Sequence, residues 1–183
     1  MTTEQRLEFG PAMSGLFIDT LGKALTPELR ASLKTEGVDL DKPLLPAYPA
    51  RVFERAVRVV ARGLYADRSE DEGLRLLGRR AVEGLNTNFL GRAVLLAAKA
   101  LGLRRVILRI DRTFRNSNNY MRVDARELSP TSAEFIFNTV NGMPTYFAGV
   151  LSAVVEVFGA RDGQVTHEPL DGERHRFVLS WTE

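Results

Sequence analysis

The chain has no cysteine. That removes disulfides, thiolate metal sites, iron–sulfur clusters and cysteine nucleophiles together. Histidine is almost as scarce: His167 and His175 are the only two in 183 residues. Long apolar runs are missing too, and nothing approaches the roughly 18 apolar residues of a membrane span. The polar start, residues 1–8, lacks the basic-then-apolar layout of a signal peptide, so the expected location is cytoplasmic. No HExxH, P-loop or GxSxG pattern occurs. Neither a repeat nor a low-complexity tract divides the chain, so a single domain over 1–183 is expected, with residues 1–10 flexible.

What remains is an ordinary globular composition, 44% hydrophobic and 26% charged. The net charge of +2 hides an asymmetry. Residues 74–126 carry twelve basic against three acidic residues, and residues 127–173 carry seven acidic against one basic. Such a division can steer an anionic partner, or the two segments can neutralise each other in the fold. Nucleic acid is not expected as a partner, because aromatics are not interleaved with the basic residues as stacking platforms.

The first half reads as helices. Pro11 can open one, with Met13, Leu16, Phe17 and Leu21 at helical spacing. Thr26 and Pro27 start a second, capped by Gly37. Residues 38–49, with Pro43, Pro46 and Pro49, should be an extended connector. Helices are expected over 49–65, from the Ser69/Glu72 capping box to about 85, over 88–101, and briefly over 104–110. Gly73, Gly78, Gly84 and Gly91 cost about 1 kcal/mol each in a helix relative to alanine, which points to close helix packing or close approach by a ligand.

The last third reads strand, strand, helix, strand, strand. Residues 120–128 alternate, Ser129-Pro130-Thr131 turns the chain, and 133–140 form the partner strand with Phe135 and Phe137 on one face. Asn141-Gly142-Met143-Pro144 breaks that strand and starts a helix. Asp171-Gly172 turns a final hairpin that puts Phe177, Leu179 and Trp181 on one side. The helix between the hairpins is apolar almost all round: Phe147, Val150, Leu151, Val154 and Phe158 form one stripe, and Tyr146, Gly149, Ala153 and Val157 cover much of the rest. Such a helix needs cover on both sides. The expected architecture is therefore α/β of the α+β type: an N-terminal helical layer packed on a four-stranded antiparallel sheet, with a helix between two hairpins.

One polar cluster stands out: Arg112, Arg115, Asn116, Ser117, Asn118, Asn119 and Tyr120, with Phe114 among them. Arginine offers a planar fork for carboxylate or phosphate, and asparagine offers donor and acceptor together. Asn138 and Asn141 can converge on it from the next strand. The bland alternative is a helix-to-strand connection whose asparagines satisfy backbone groups. His167, His175 and Glu168 sit on opposite arms of the last hairpin and raise a metal site. Rim histidines are the expectation, with no metal and no cofactor.

Four stretches, Leu44-Leu45-Pro46-Ala47-Tyr48-Pro49, Leu76-Leu77-Gly78-Arg79-Arg80, Phe114-Arg115-Asn116-Ser117-Asn118-Asn119-Tyr120 and Phe147-Ala148-Gly149-Val150-Leu151, together resemble an uncharacterised family of about this length expanded in myxobacteria. It carries no established activity. More distantly, the element order over 70–183 is similar to the superfamily of haem nitric-oxide sensor domains, 4-vinyl-reductase-type sensor domains and TRAPP vesicle-tethering subunits. That resemblance implies an apolar cavity between helices and sheet, or a dimer built on the helices. It does not bring haem, because those sensors hold iron through a histidine on a helix, and both histidines here fall in the last hairpin.

The functional reading is a non-catalytic sensory or regulatory module. It binds a small apolar or anionic ligand in a cavity near Phe89, Tyr146 and Phe147, with Arg112, Arg115, Asn116, Asn118, Asn119 and Tyr120 at its mouth. The alternative is a protein-interaction module, homodimeric through helical faces. An enzyme ranks last, since no nucleophile–base set stands out.

Overall fold

The structure, a computed structural model, describes residues 5–84, 96 and 99–182. Most of the helix expected over 88–101, and Phe89 with it, lies outside the described residues.

The chain opens with a short strand, β1 (Leu7–Phe9), then helix α1 (Gly10–Ser14), which runs on as a π-helical segment, Gly15–Thr20. Met13, Leu16, Phe17 and Leu21 are buried, as their spacing requires. Helix α2 (Pro27–Thr35) starts at Thr26, whose hydroxyl accepts from the Leu29 N–H at 3.3 Å. It ends at Gly37, whose φ of +99° suits the bond from Val38 N–H to the Leu33 carbonyl. The proline-rich connector ends in a strand, β2 (Ala47–Pro49), antiparallel to β1 with Glu8 opposite Tyr48. Residues 1–10 are thus not simply a flexible lead, because Leu7–Phe9 is paired and Glu8 is buried.

Helices α3 (Ala50–Leu64) and α4 (Glu70–Glu83) follow, the second capped by the Ser69 hydroxyl, which accepts from Glu72 N–H at 3.2 Å. Beyond residue 99 come α5 (Leu103–Ile107) and α6 (Ile110–Ser117). The polar cluster beginning at Arg112 therefore starts inside a helix, not in a connecting loop.

The sheet holds β3 (Val123–Ser129), β4 (Ser132–Phe137), β5 (Arg161–Pro169) and β6 (His175–Thr182), all antiparallel, in the order β3-β4-β6-β5. Helix α7 (Pro144–Val157) links the two hairpins. The inner face carries Phe135, Phe137, Phe177, Leu179 and Trp181. On the other face Glu134 is 2% exposed, paired with Arg126 and with Arg176 at 2.7 Å. Arg176 also holds Glu168 at 2.8 Å.

Both sides of α7 are covered within the chain. One packs on β5 and β6, the other on α4. The α4 crossing has no room for side chains between the backbones: a Cβ on Gly78 would lie 2.0 Å from the Tyr146 carbonyl oxygen, and one on Gly149 2.0 Å from that of Arg75. Gly78 therefore serves close helix packing. The helical layer and the sheet share one apolar cluster running from Met13 to Trp181.

Candidate functional site

A cavity of about 410 Å³ lies between the start of the chain and the α4–α7 pair. The α1–π segment supplies Pro11, Ala12, Leu16 and Thr20; α3 supplies Phe53; α4 supplies Ala81 and Val82; α6 supplies Phe114; α7 supplies Tyr146, Phe147 and Val150. Two local features open this space. The π-helical turn, closed by Leu21 N–H bonding the Leu16 carbonyl at 3.0 Å, inserts an extra residue per turn, a distortion often found at functional sites. Gly15 lines the cavity, and a Cβ there would meet nothing within 4 Å. The aromatic wall is continuous with the core, since Phe114 packs edge-on to Phe137 at 5.2 Å and Phe137 on Phe177 at 5.1 Å.

The polar wall is built on β1. Within the Leu7-Glu8-Phe9 strand it is the glutamate that is buried, 5% exposed. β2 pairs one edge of β1. On the other edge Asn119 N–H donates to the Leu7 carbonyl at 3.2 Å, and Asn119 Oδ1 accepts from Leu7 N–H at 2.9 Å. Asn119 Nδ2 also donates to the Gln5 carbonyl at 3.1 Å. Held this way, Glu8 Oε2 accepts from the Tyr120 hydroxyl at 3.0 Å, and Asn141 Nδ2 donates to that hydroxyl at 2.6 Å. Asn141 sits at φ +46° before Gly142 at +66°, and Arg58 donates to the Gly142 carbonyl at 2.7 Å, bracing the turn.

Burial pushes the Glu8 carboxyl up to about 7, although bonds from Tyr120 and Asn118 pull the other way. Burial likewise raises the Tyr120 phenol, with the negative Glu8 adding to the effect. The Tyr146 phenol is raised for the same two reasons in the same order. These groups favour their neutral forms, so the site can exchange hydrogen bonds and, at Glu8, a proton near neutrality.

Of the residues singled out in the sequence, Asn118, Tyr120, Tyr146 and Phe147 line this cavity. Arg112, Arg115 and Asn116 are exposed on α6 and are not among its lining residues, and Arg115 pairs with Asp111 at 2.5 Å. Asn119 clamps β1 by backbone bonds. Asn118 accepts from Met121 N–H at 2.8 Å, and Asn138 bonds the backbone of Tyr120 and Arg122. These asparagines satisfy backbone groups, and Asn118 also bonds the Glu8 carboxyl. The residue that sequence reasoning missed is Glu8. Its one signal is the apolar-acidic-apolar alternation just before Gly10-Pro11.

A larger, open and polar cleft of about 780 Å³ runs between β1, the start of α3 and the last hairpin. Of its lining arginines, Arg6 is bonded to Glu173 at 2.7 Å and Arg174 to Asp171 at 3.0 Å. The two histidines do meet, with His167 Nδ1 3.1 Å from His175 Nε2, and desolvation followed by the charge of His167 pulls His175 down. Glu168 turns to Arg176 instead. Among the described residues no group of three or more His, Cys, Asp or Glu could hold a metal, and no helix is long and apolar enough to cross a membrane.

The fold is that of H-NOX domains. A Cs H-NOX carrying the unnatural amino acid 4-cyano-L-phenylalanine superposes with a TM-score of 0.69 at 16% identity, covering 96% of this chain and 97% of its own. A double variant of Tt H-NOX gives 0.69 at 17%, covering 96% and 95%. An oxygen-binding H-NOX domain related to soluble guanylate cyclases, in its oxygen complex, gives 0.65 at 17%, covering 95% and 93%. No curated protein matches the sequence. The family model described as protein of unknown function (DUF2378) matches residues 6–182, and the chain belongs to that family.

Proposed function

We propose that the protein is a non-catalytic sensory module that binds a small ligand in the cavity between the α1–π segment, α4, α6 and α7. The observation that carries this is the cavity itself, with an aromatic wall and a buried carboxyl–phenol pair, Glu8 and Tyr120. Fold kinship with an oxygen-binding domain supports a module that binds a small ligand without naming it.

Haem does not fit. The two histidines lie on β5 and β6, bonded to each other, and neither lines the cavity. The described lining holds no histidine, cysteine or basic residue. The nearby phenols are driven toward their neutral forms, which makes them poor iron ligands.

The second face of α7, one motive for a homodimer through helical faces, is covered by α4. The direct test is native mass spectrometry of the protein as purified, with Gly15→Leu as the control. Gly15 borders the cavity and has open space at its Cβ. A co-purified small molecule that the variant no longer retains supports the reading. A variant that retains it equally well overturns the location.

A further inference from the structure

We infer that the ligand is a small organic cation, an aromatic or aliphatic amine whose apolar body fills the cavity and whose ammonium group meets Glu8. This rests on the cavity reading above and adds the sign and chemistry of the head group. The sequence suggested an anion held by Arg112 and Arg115, but both are exposed and outside the lining. Among the described residues, the charged or chargeable groups of the wall are Glu8 on β1, Asp19 on the π segment, Tyr120 after α6 and Tyr146 on α7. None is a base. Among the described residues, a cation entering this space meets the Glu8 carboxyl, hydroxyls and aromatic rings, and Phe53 and Tyr146 stand edge to face 6.4 Å apart.

Glu8 is suited to the role by its setting. Its carboxyl is anchored on one oxygen by the Tyr120 hydroxyl, which Asn141 holds in turn. The acceptor is therefore positioned before any ligand arrives. The Arg6 guanidinium lies over the Tyr120 ring at 5.9 Å and is bonded to Glu173. Burial raises this carboxyl to about 7, and an ammonium beside it favours the charged form. Amine binding accordingly releases a proton from Glu8.

The test compares phenethylamine, phenethyl alcohol and phenylacetate by titration calorimetry on the whole chain at pH 7, in two buffers of different ionisation enthalpy. Expected is amine binding at least about tenfold tighter than alcohol, proton release with the amine only, and no saturable binding of phenylacetate. Glu8→Gln, which keeps an acceptor for Tyr120, should bring the amine to the level of the alcohol and abolish proton release. If alcohol or phenylacetate binds as tightly as the amine, or the variant keeps its amine preference, the cation inference falls while the cavity stands. If none of the three binds, the cavity reading falls and this one with it.

Discussion

Replacing Gly78 by alanine should destabilise the protein, although alanine is the better helix former. The added Cβ would sit 2.0 Å from the Tyr146 carbonyl oxygen, 2.9 Å from its carbon and 3.1 Å from Val150 N. All three are backbone atoms of α7, so no rotamer change relieves the clash. The helices must part by roughly 1.4 Å to restore contact at 3.4 Å, and a gap of that order forfeits much of the dispersion along the crossing. Overpacking of this kind costs about 3 kcal/mol, and alanine's propensity returns about 1, leaving a loss near 2 kcal/mol. For a chain of this length that lowers Tm by about 4–8 °C. Gly149→Ala meets the Arg75 carbonyl in the mirror relation and should cost the same. Once the helices have parted, the second methyl fits, so the double variant should lose clearly less than the sum. Gly15→Ala is the internal control: its methyl meets nothing within 4 Å, so it should gain up to about 1 kcal/mol. Urea unfolding of the four variants decides the matter. A neutral Gly78→Ala, or strict additivity, would refute the backbone-to-backbone crossing.

Three further outcomes are expected. A carboxyl raised on folding binds its proton more tightly in the native state, so the Glu8 contribution is full below pH 4.5 and is lost as pH climbs through 7. Relative to Glu8→Gln, the wild type should therefore lose roughly 3 kcal/mol between pH 4.5 and 8, and a flat difference would disprove the burial of that acid. Asn119→Ala removes one side-chain bond to Leu7 of β1 and one to the Gln5 carbonyl before it, and should cost about 1–2 kcal/mol, with hydrogen exchange at the Leu7 amide at least about tenfold faster; unchanged protection would contradict the clamp. The pair Arg112→Ala and Arg115→Ala should leave stability within about 0.5 kcal/mol and amine binding intact, and a drop in binding would return the arginines to the site.

The sequence announced its helices where they carry chemical stops, as at Thr26, Ser69 and Gly37, and its hairpins where strands alternate around Ser129-Pro130-Thr131 and Asp171-Gly172. The need for two covers on α7 was also plain, though not which element would supply the second. The β1–β2 ribbon was hidden because three residues are too few to show a period of two. Reading Arg112 onward as a loop came from the run of asparagines. Taken as the helix it is, the same segment sets Ile110, Phe114 and Ser117 on the inner face and turns Arg112, Arg115 and Asn116 outward.

The clasp on β1 also bears on how the chain assembles. Its partners lie far along the sequence: Leu7 and Asn119 are 112 positions apart, and Ala47–Pro49 stands between. Closing so long a loop is slow, and nothing local can hold a three-residue strand meanwhile. During synthesis β2 can pair one edge of β1 early, but the other edge must wait until the α6–β3 link has emerged. The polar wall of the cavity is then among the last parts to form, and Asn119 variants should lengthen the final refolding phase while leaving the earlier ones alone.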